Sequence, residues 1–180
     1  MFKILFLTTC VLLPIAYLIN RVKEGDIAII GYSGILLALT LGMIGTAKGM
    51  ISISSYVSGA SLVTPRVATK SIFGIVICEA GMICTVLHVV QSAMKVITMK
   101  QTYLNNFLMM TSCIIVGSSI YFSCVSVGII CGIITMMDAK DPTLFFKIIV
   151  MEVIPAGIGV LGFVCGVIFS SKIDDPNFVK

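Results

Sequence analysis

Charged residues divide the chain into apolar runs. The first run, Ile4 to Ile19, is closed by Arg21, Lys23, Glu24 and Asp26. The second starts at Ile27, meets its first charge at Lys48 and continues to Arg66. The third spans Ser71 to Met94, interrupted only by Glu79, and the fourth runs without a charge from about Asn105 to Met137. The fifth spans Ile148 to Ser171, interrupted only by Glu152. A bilayer span needs ~20 apolar residues at ~1.5 Å rise. Runs two to five meet that length, and two and four are long enough to protrude. In lipid a helix satisfies its own backbone, whereas barrel strands would be ~10 residues long and alternating. The pattern therefore predicts an all-α, polytopic membrane helical bundle. Run one is shorter and contains Pro14. Its length resembles a signal peptide. No small-x-small site precedes Asn20, however, and most of the positive charge follows the run, so the expectation is a retained transmembrane helix.

Composition points the same way. Of 180 residues, 58% are apolar and 11% charged, with mean hydropathy +1.14. Soluble domains carry about 25% charged residues, so a cytosolic enzyme domain, a disordered chain and a nucleic-acid binder are excluded. The net charge of +4 is scattered. Lys3, Arg66, Lys70, Lys140 and Lys147 would lie on one side, and Arg21, Lys23, Lys95, Lys100, Lys172 and Lys180 on the other. This near-even division sets no orientation. The seven cysteines (Cys10, Cys78, Cys84, Cys113, Cys124, Cys131 and Cys165) form no CxxC pair, and His88 is the single histidine. A disulfide framework or a metal site finds no support, and the cysteines read as small buried hydrophobes. No GxxxxGK[ST], GxSxG or HExxH is present, so no ATP site and no cofactor are expected in this chain.

The chain also carries a weak internal repeat. A shift of 73 residues lays Ser71-Ile-Phe-Gly-Ile-Val-Ile-Cys-Glu79-Ala on Leu144-Phe-Phe-Lys-Ile-Ile-Val-Met-Glu152-Val, and Gly59 on Gly132. Runs two and three, and runs four and five, thus read as two helical hairpins. The expected organisation is an extra transmembrane helix at 1–22, hairpins at 27–100 and 103–172, and a short tail at 173–180. The first helix of each hairpin carries small residues: Ala38, Gly42, Gly45 and Gly49, then Gly117, Ser119, Ser123, Gly128 and Gly132. Gly162 and Gly166 add a smaller stripe on run five. Such stripes admit close helix approach, either within this bundle or against ring neighbours.

Glu79 and Glu152 are the candidate chemistry. A charged acid at the bilayer centre costs ~2.5–3.5 kcal/mol on insertion scales, and apolar surroundings favour the neutral form of a carboxyl. Such a group can carry a proton: neutral against lipid, ionised beside a cation or a water channel. The alternative is an acid paired with Lys48, or protonated for packing alone. His88 follows Glu79 by nine residues, roughly 900° of rotation and the opposite face, and reads as a packed histidine. Asp138, Lys140, Asp141 and Pro142 read as a polar loop. A sodium site would need several oxygen ligands, and only Thr85 and Ser71 stand near Glu79 on its own helix.

Several segments resemble the proteolipids of c type in V-type proton ATPases. Gly45-Thr-Ala-Lys48 after a Gly-rich helix is one. Pro65-Arg66, Thr69-Lys70-Ser71-Ile72 and Cys78-Glu79-Ala80 resemble the c″ type more closely, as does Pro142-Thr-Leu-Phe-Phe-Lys147-Ile-Ile-Val-Met-Glu152-Val. The likeness covers about residues 27–172, and a helix preceding the usual four also fits. It implies a rotor part of the membrane V0 sector. Such a chain sits in a ring of c-type proteolipid subunits, turning past a stator a subunit whose arginine faces the carboxylates. A d-type subunit and the central stalk of the V1 sector connect it to ATP hydrolysis elsewhere. The resemblance makes Glu79 the principal proton carrier and Glu152 a second candidate. It implies an acidic endomembrane or vacuolar location, with the Arg66 and Asp138 loops cytosolic and the C-terminus lumenal. Pro155 departs from the pattern: it removes a donor and crowds the Met151 carbonyl, which disfavours Glu152. Three alternatives compete: an ordinary c- or c′-type proteolipid, a standalone transporter or channel using both acids for coupling, and a scaffold with no transport. Copurification with a large ATPase opposes the second, and loss of function in Glu→Gln variants opposes the third.

Overall fold

The computed structural model describes residues 27–143 and 149–173. The expected first helix at 1–22 lies outside these residues, as does the tail beyond Ile173. Among the described residues four helices follow one another: α1 (Ala28–Val63), α2 (Arg66–Thr98), α3 (Tyr103–Lys140) and α4 (Val150–Ser171). Each is long and apolar enough to cross a membrane. The 36 residues of α1 reach about 54 Å at 1.5 Å per residue, beyond the ~30 Å of a hydrocarbon core. The protein is an integral, multi-pass membrane helical bundle.

Prolines set the turns. Pro65 begins α2 with φ −61°, the value its ring imposes and a helix start accepts, and Thr64 before it is extended. Asp141, held extended before Pro142, ends α3. This corrects the loop expected around Asp138. The helix continues through Lys140, and Asp138 is 1% exposed. Its burial is compensated: Lys70 of α2 pairs with Asp138 Oδ1 at 2.8 Å, and Arg66 donates to the Asp138 carbonyl at 3.0 Å.

The exterior is apolar. Leu36, Ile51, Phe73, Val76, Ile83 and Phe122 all point outward. The interior is mixed: Ile53, Val96, Met109, Val116, Ile120 and Val127 are buried alongside glycine, serine, threonine, cysteine and His88. Small residues bring α1 and α3 together. A Cβ at Gly45 would stand 2.6 Å from Tyr121 Cα, and one at Gly128 would stand 2.5 Å from Gly49 Cα, so larger side chains would force the helices apart. On the other side of α3, Ser112 Oγ donates to the Gly166 carbonyl at 2.6 Å and Ser123 Oγ to the Pro155 carbonyl at 2.8 Å. The glycine stripes expected to serve either the bundle or a ring are thus used here within the chain. Four of the cysteines, Cys78, Cys113, Cys124 and Cys131, are buried and free, as expected of small hydrophobes, whereas Cys165 is exposed.

Candidate functional site

The two membrane acids occupy opposite environments. Glu79 lies on the outer face of α2, in line with exposed Ile72, Val76, Ile83 and Val86. These residues recur at helical spacing, so the carboxyl stands in an apolar stripe facing away from the bundle. Its neighbour Cys78, one position round the helix, is fully buried. Glu79 borders a shallow groove of about 280 Å³, lined also by Met82, Ile83, Val86, Leu87 and Thr46 of α1. Among the described residues it has no ion pair and no hydrogen-bond partner.

Glu152 is closed in. It is 2% exposed, in the first turn of α4. A Cβ at Gly74 of α2 would meet Glu152 Oε1 at 2.7 Å and Cys131 of α3 more closely still, so the carboxyl is wedged between three helices with only glycine making room. Oε1 accepts no hydrogen bond among the described residues. Pro155 is accommodated within α4, its carbonyl used by Ser123. Burial, more than a proline kink, is what sets Glu152 apart from Glu79.

Residues 110–169 match the family of ATP synthase C subunits, a segment that includes Glu152. The c″ subunit of the V-type proton ATPase of Saccharomyces cerevisiae is 30% identical over 151 residues, covering 79% of this chain and 70% of its own length. The chain belongs to the c″-type proteolipids of V-type proton ATPases. The c″2 and c″1 subunits of the V-type proton ATPase of Arabidopsis thaliana are each 28% identical over 151 residues, covering 80% of this chain and 85% and 84% of their own.

Most of the remaining polar residues of this c″-type proteolipid are partnered away from the acids. His88 is fully buried, with Nε2 3.2 Å from Ser112 Oγ and 3.4 Å from Ser92 Oγ, which matches the packed histidine expected from its rotation. Lys48 does not meet either acid: its Nζ donates to the Tyr121 hydroxyl at 2.9 Å. Thr85 and Ser71, the oxygen donors expected near Glu79, are buried and donate to their own helix at Gly81 and Val67. Sequence reasoning missed Thr46. It stands on a different helix from Glu79, and nothing in the local pattern links the two. Its hydroxyl donates to the Gly42 carbonyl at 2.9 Å.

Proposed function

We propose that this chain is a proton-carrying rotor subunit of a V-type ATPase membrane sector, with Glu79 as the carrier. The observation that supports it is the placement of Glu79: exposed, with no cation beside it among the described residues, on an apolar face. A carboxyl there can exchange a proton with whatever passes outside the bundle. Its proton resides on a carboxyl oxygen while the face meets lipid, because a bare charge at mid-membrane costs ~2.5–3.5 kcal/mol. Moving such a charge against 100 mV costs a further ~2.3 kcal/mol. Beside the arginine of a stator a subunit the carboxylate becomes favourable, and the proton leaves into a half-channel. Rotation then returns the group to lipid only after it is protonated again.

On this reading Glu152 does not cycle, since no rotation of the ring would expose a group sealed by Gly74 and Cys131. The chain contributes hairpins at 27–100 and 103–172, with a further helix at 1–22. Other c-type proteolipids are its ring neighbours, and a d-type subunit and the V1 stalk are its drive. The host membrane bounds an acidic, vacuolar-type compartment. Proton pumping into vesicles tests the reading. Glu79→Gln in an assembled complex is expected to reduce pumping to background, and wild-type pumping by that complex would reject Glu79 as carrier.

A further inference from the structure

Helices α2, α3 and α4 enclose a cavity that proton carriage does not use. It holds about 90 Å³, and its walls include Ala80 and Cys84 of α2, Ser123 and Cys124 of α3, and Ala156 and Val160 of α4. The rim is open, since Ala80 and Val160 are exposed on the outer face. The space is several times the ~10–15 Å³ that a site for one water needs, so a molecule of two oxygens fits.

Cys124 brings a thiol to the inner wall. A Cβ at Gly81 would stand 2.8 Å from its Sγ, so glycine is what lets the sulfur lie against α2. Cys78, one turn before Gly81, is fully buried and is not part of the cavity wall. The two thiols contact each other. Each also reaches the other's backbone: Cys78 Sγ is 3.7 Å from the Cys124 carbonyl, and Cys124 Sγ is 3.7 Å from the Cys78 carbonyl. Gly49 of α1 makes the remaining room, because a Cβ there would stand 3.0 Å from Cys78 Sγ and 2.5 Å from the Cys124 oxygen. Cysteines that serve only as small hydrophobes need neither a facing thiol nor an opening. Here two thiols on separate helices face each other, and one of them is reachable from outside.

We propose that Cys78 and Cys124 form a site of reversible oxidation by hydrogen peroxide, which enters through this cavity. Cys124 Sγ attacks one peroxide oxygen and the O–O bond breaks. The departing oxygen takes the thiol proton and leaves as water, and Cys124 becomes a sulfenic acid. Cys78 Sγ then attacks the Cys124 sulfur. The displaced hydroxyl takes the Cys78 proton and leaves as a second water. The two thiols lose two electrons, the peroxide gains them, and a disulfide ties α2 to α3 one residue before Glu79. A dithiol reductant reverses the change. The proposal rests on thiol geometry and not on proton carriage by Glu79.

Peptide mapping of the intact complex in its native membrane tests it. After brief exposure to dilute hydrogen peroxide, a peptide linking Cys78 to Cys124 is expected, and dithiothreitol is expected to abolish it. In Cys78→Ser the link is absent, and a cyclic 1,3-dione traps sulfenic acid on Cys124. In Cys124→Ser, Cys78 stays unlabelled, because peroxide meets Cys124 first. Ala156→Leu, which fills the cavity and keeps both thiols, is expected to slow bridge formation about ten-fold. If that variant does not assemble, Ala80→Leu at the rim replaces it, with the same slowing expected. Cys113 is the internal control: it is buried, outside the cavity, and its thiol faces Ser92. Absence of the linked peptide, a link between any other pair of cysteines, or sulfenic acid on Cys78 in Cys124→Ser overturns the proposal. So does a rate that filling the cavity leaves unchanged, or oxidation of Cys113 as fast as that of the pair. Bridge formation is read without ATP, whereas pumping requires it, so this inference and the proton-carrying reading fail separately.

Discussion

A carboxyl's surroundings decide its work, and here two glutamates with similar sequence contexts have different ones. Glu79 shares a groove with Thr46 and meets the outside, while Glu152 shares Gly74 with Cys131 and does not. A hydrophobic carbodiimide, which attacks protonated carboxyls from lipid, is therefore expected to label Glu79 and spare Glu152, as peptide mapping would reveal. Label on Glu152 alone would reverse the assignment. Gly74→Ala tests the enclosure itself. The added methyl has no room beside Cys131 and Glu152, and overpacking of this kind costs about 1–3 kcal/mol. The expected result is a lower unfolding midpoint in detergent. An unchanged midpoint would mean that the wedge is loose.

At the scale of elements, the α1–α3 contact is made by glycine facing backbone. Gly128→Leu puts a branched side chain where Gly49 already fills the space. The helices would have to separate, so loss of assembled complex is expected on a native gel. Gly157 of α4 is the control, since an added Cβ there meets nothing within 4 Å. Gly157→Ala is expected to leave assembly intact and to gain up to about 1 kcal/mol from helix propensity. The small-residue stripes were visible along the chain, but their partner was not. Spacing shows that a face is narrow. Which helix uses it depends on the register between elements far apart in sequence.

At the scale of the whole molecule, the end of the bundle nearest the Thr64–Pro65 turn is held by charge. Asp138 is sealed at 1% exposure against Lys70 and Arg66. Removing one member of a buried pair leaves the other uncompensated, at a cost of about 3–5 kcal/mol, whereas removing both is often close to neutral. Lys70 is 27% exposed, so the lower end of that range applies. Lys70→Met is expected to destabilise the protein by about 3 kcal/mol, and adding Asp138→Asn is expected to restore part of the loss. A double-mutant cycle by thermal unfolding in detergent would show the coupling, and additive effects would remove the pair from the account.

Length, hydropathy and the scarcity of charge determined by themselves that this chain is a bundle of membrane helices, because lipid allows little else to span it. The loop prolines and the position of each acid along its helix were equally legible, since both depend on neighbours within one turn. The rotation of Glu79 relative to His88 could also be counted. Tertiary structure alone decided that Glu79 looks outward and Glu152 inward. It decided, too, that Asp138 is buried in a helix and paired with Lys70 of another, that Thr46 borders the same groove as Glu79, and that Lys48 is bound to Tyr121. Each of these depends on how far one helix slides and turns against another. That adjustment is fixed by the fit of many side chains at once, and no local pattern contains it.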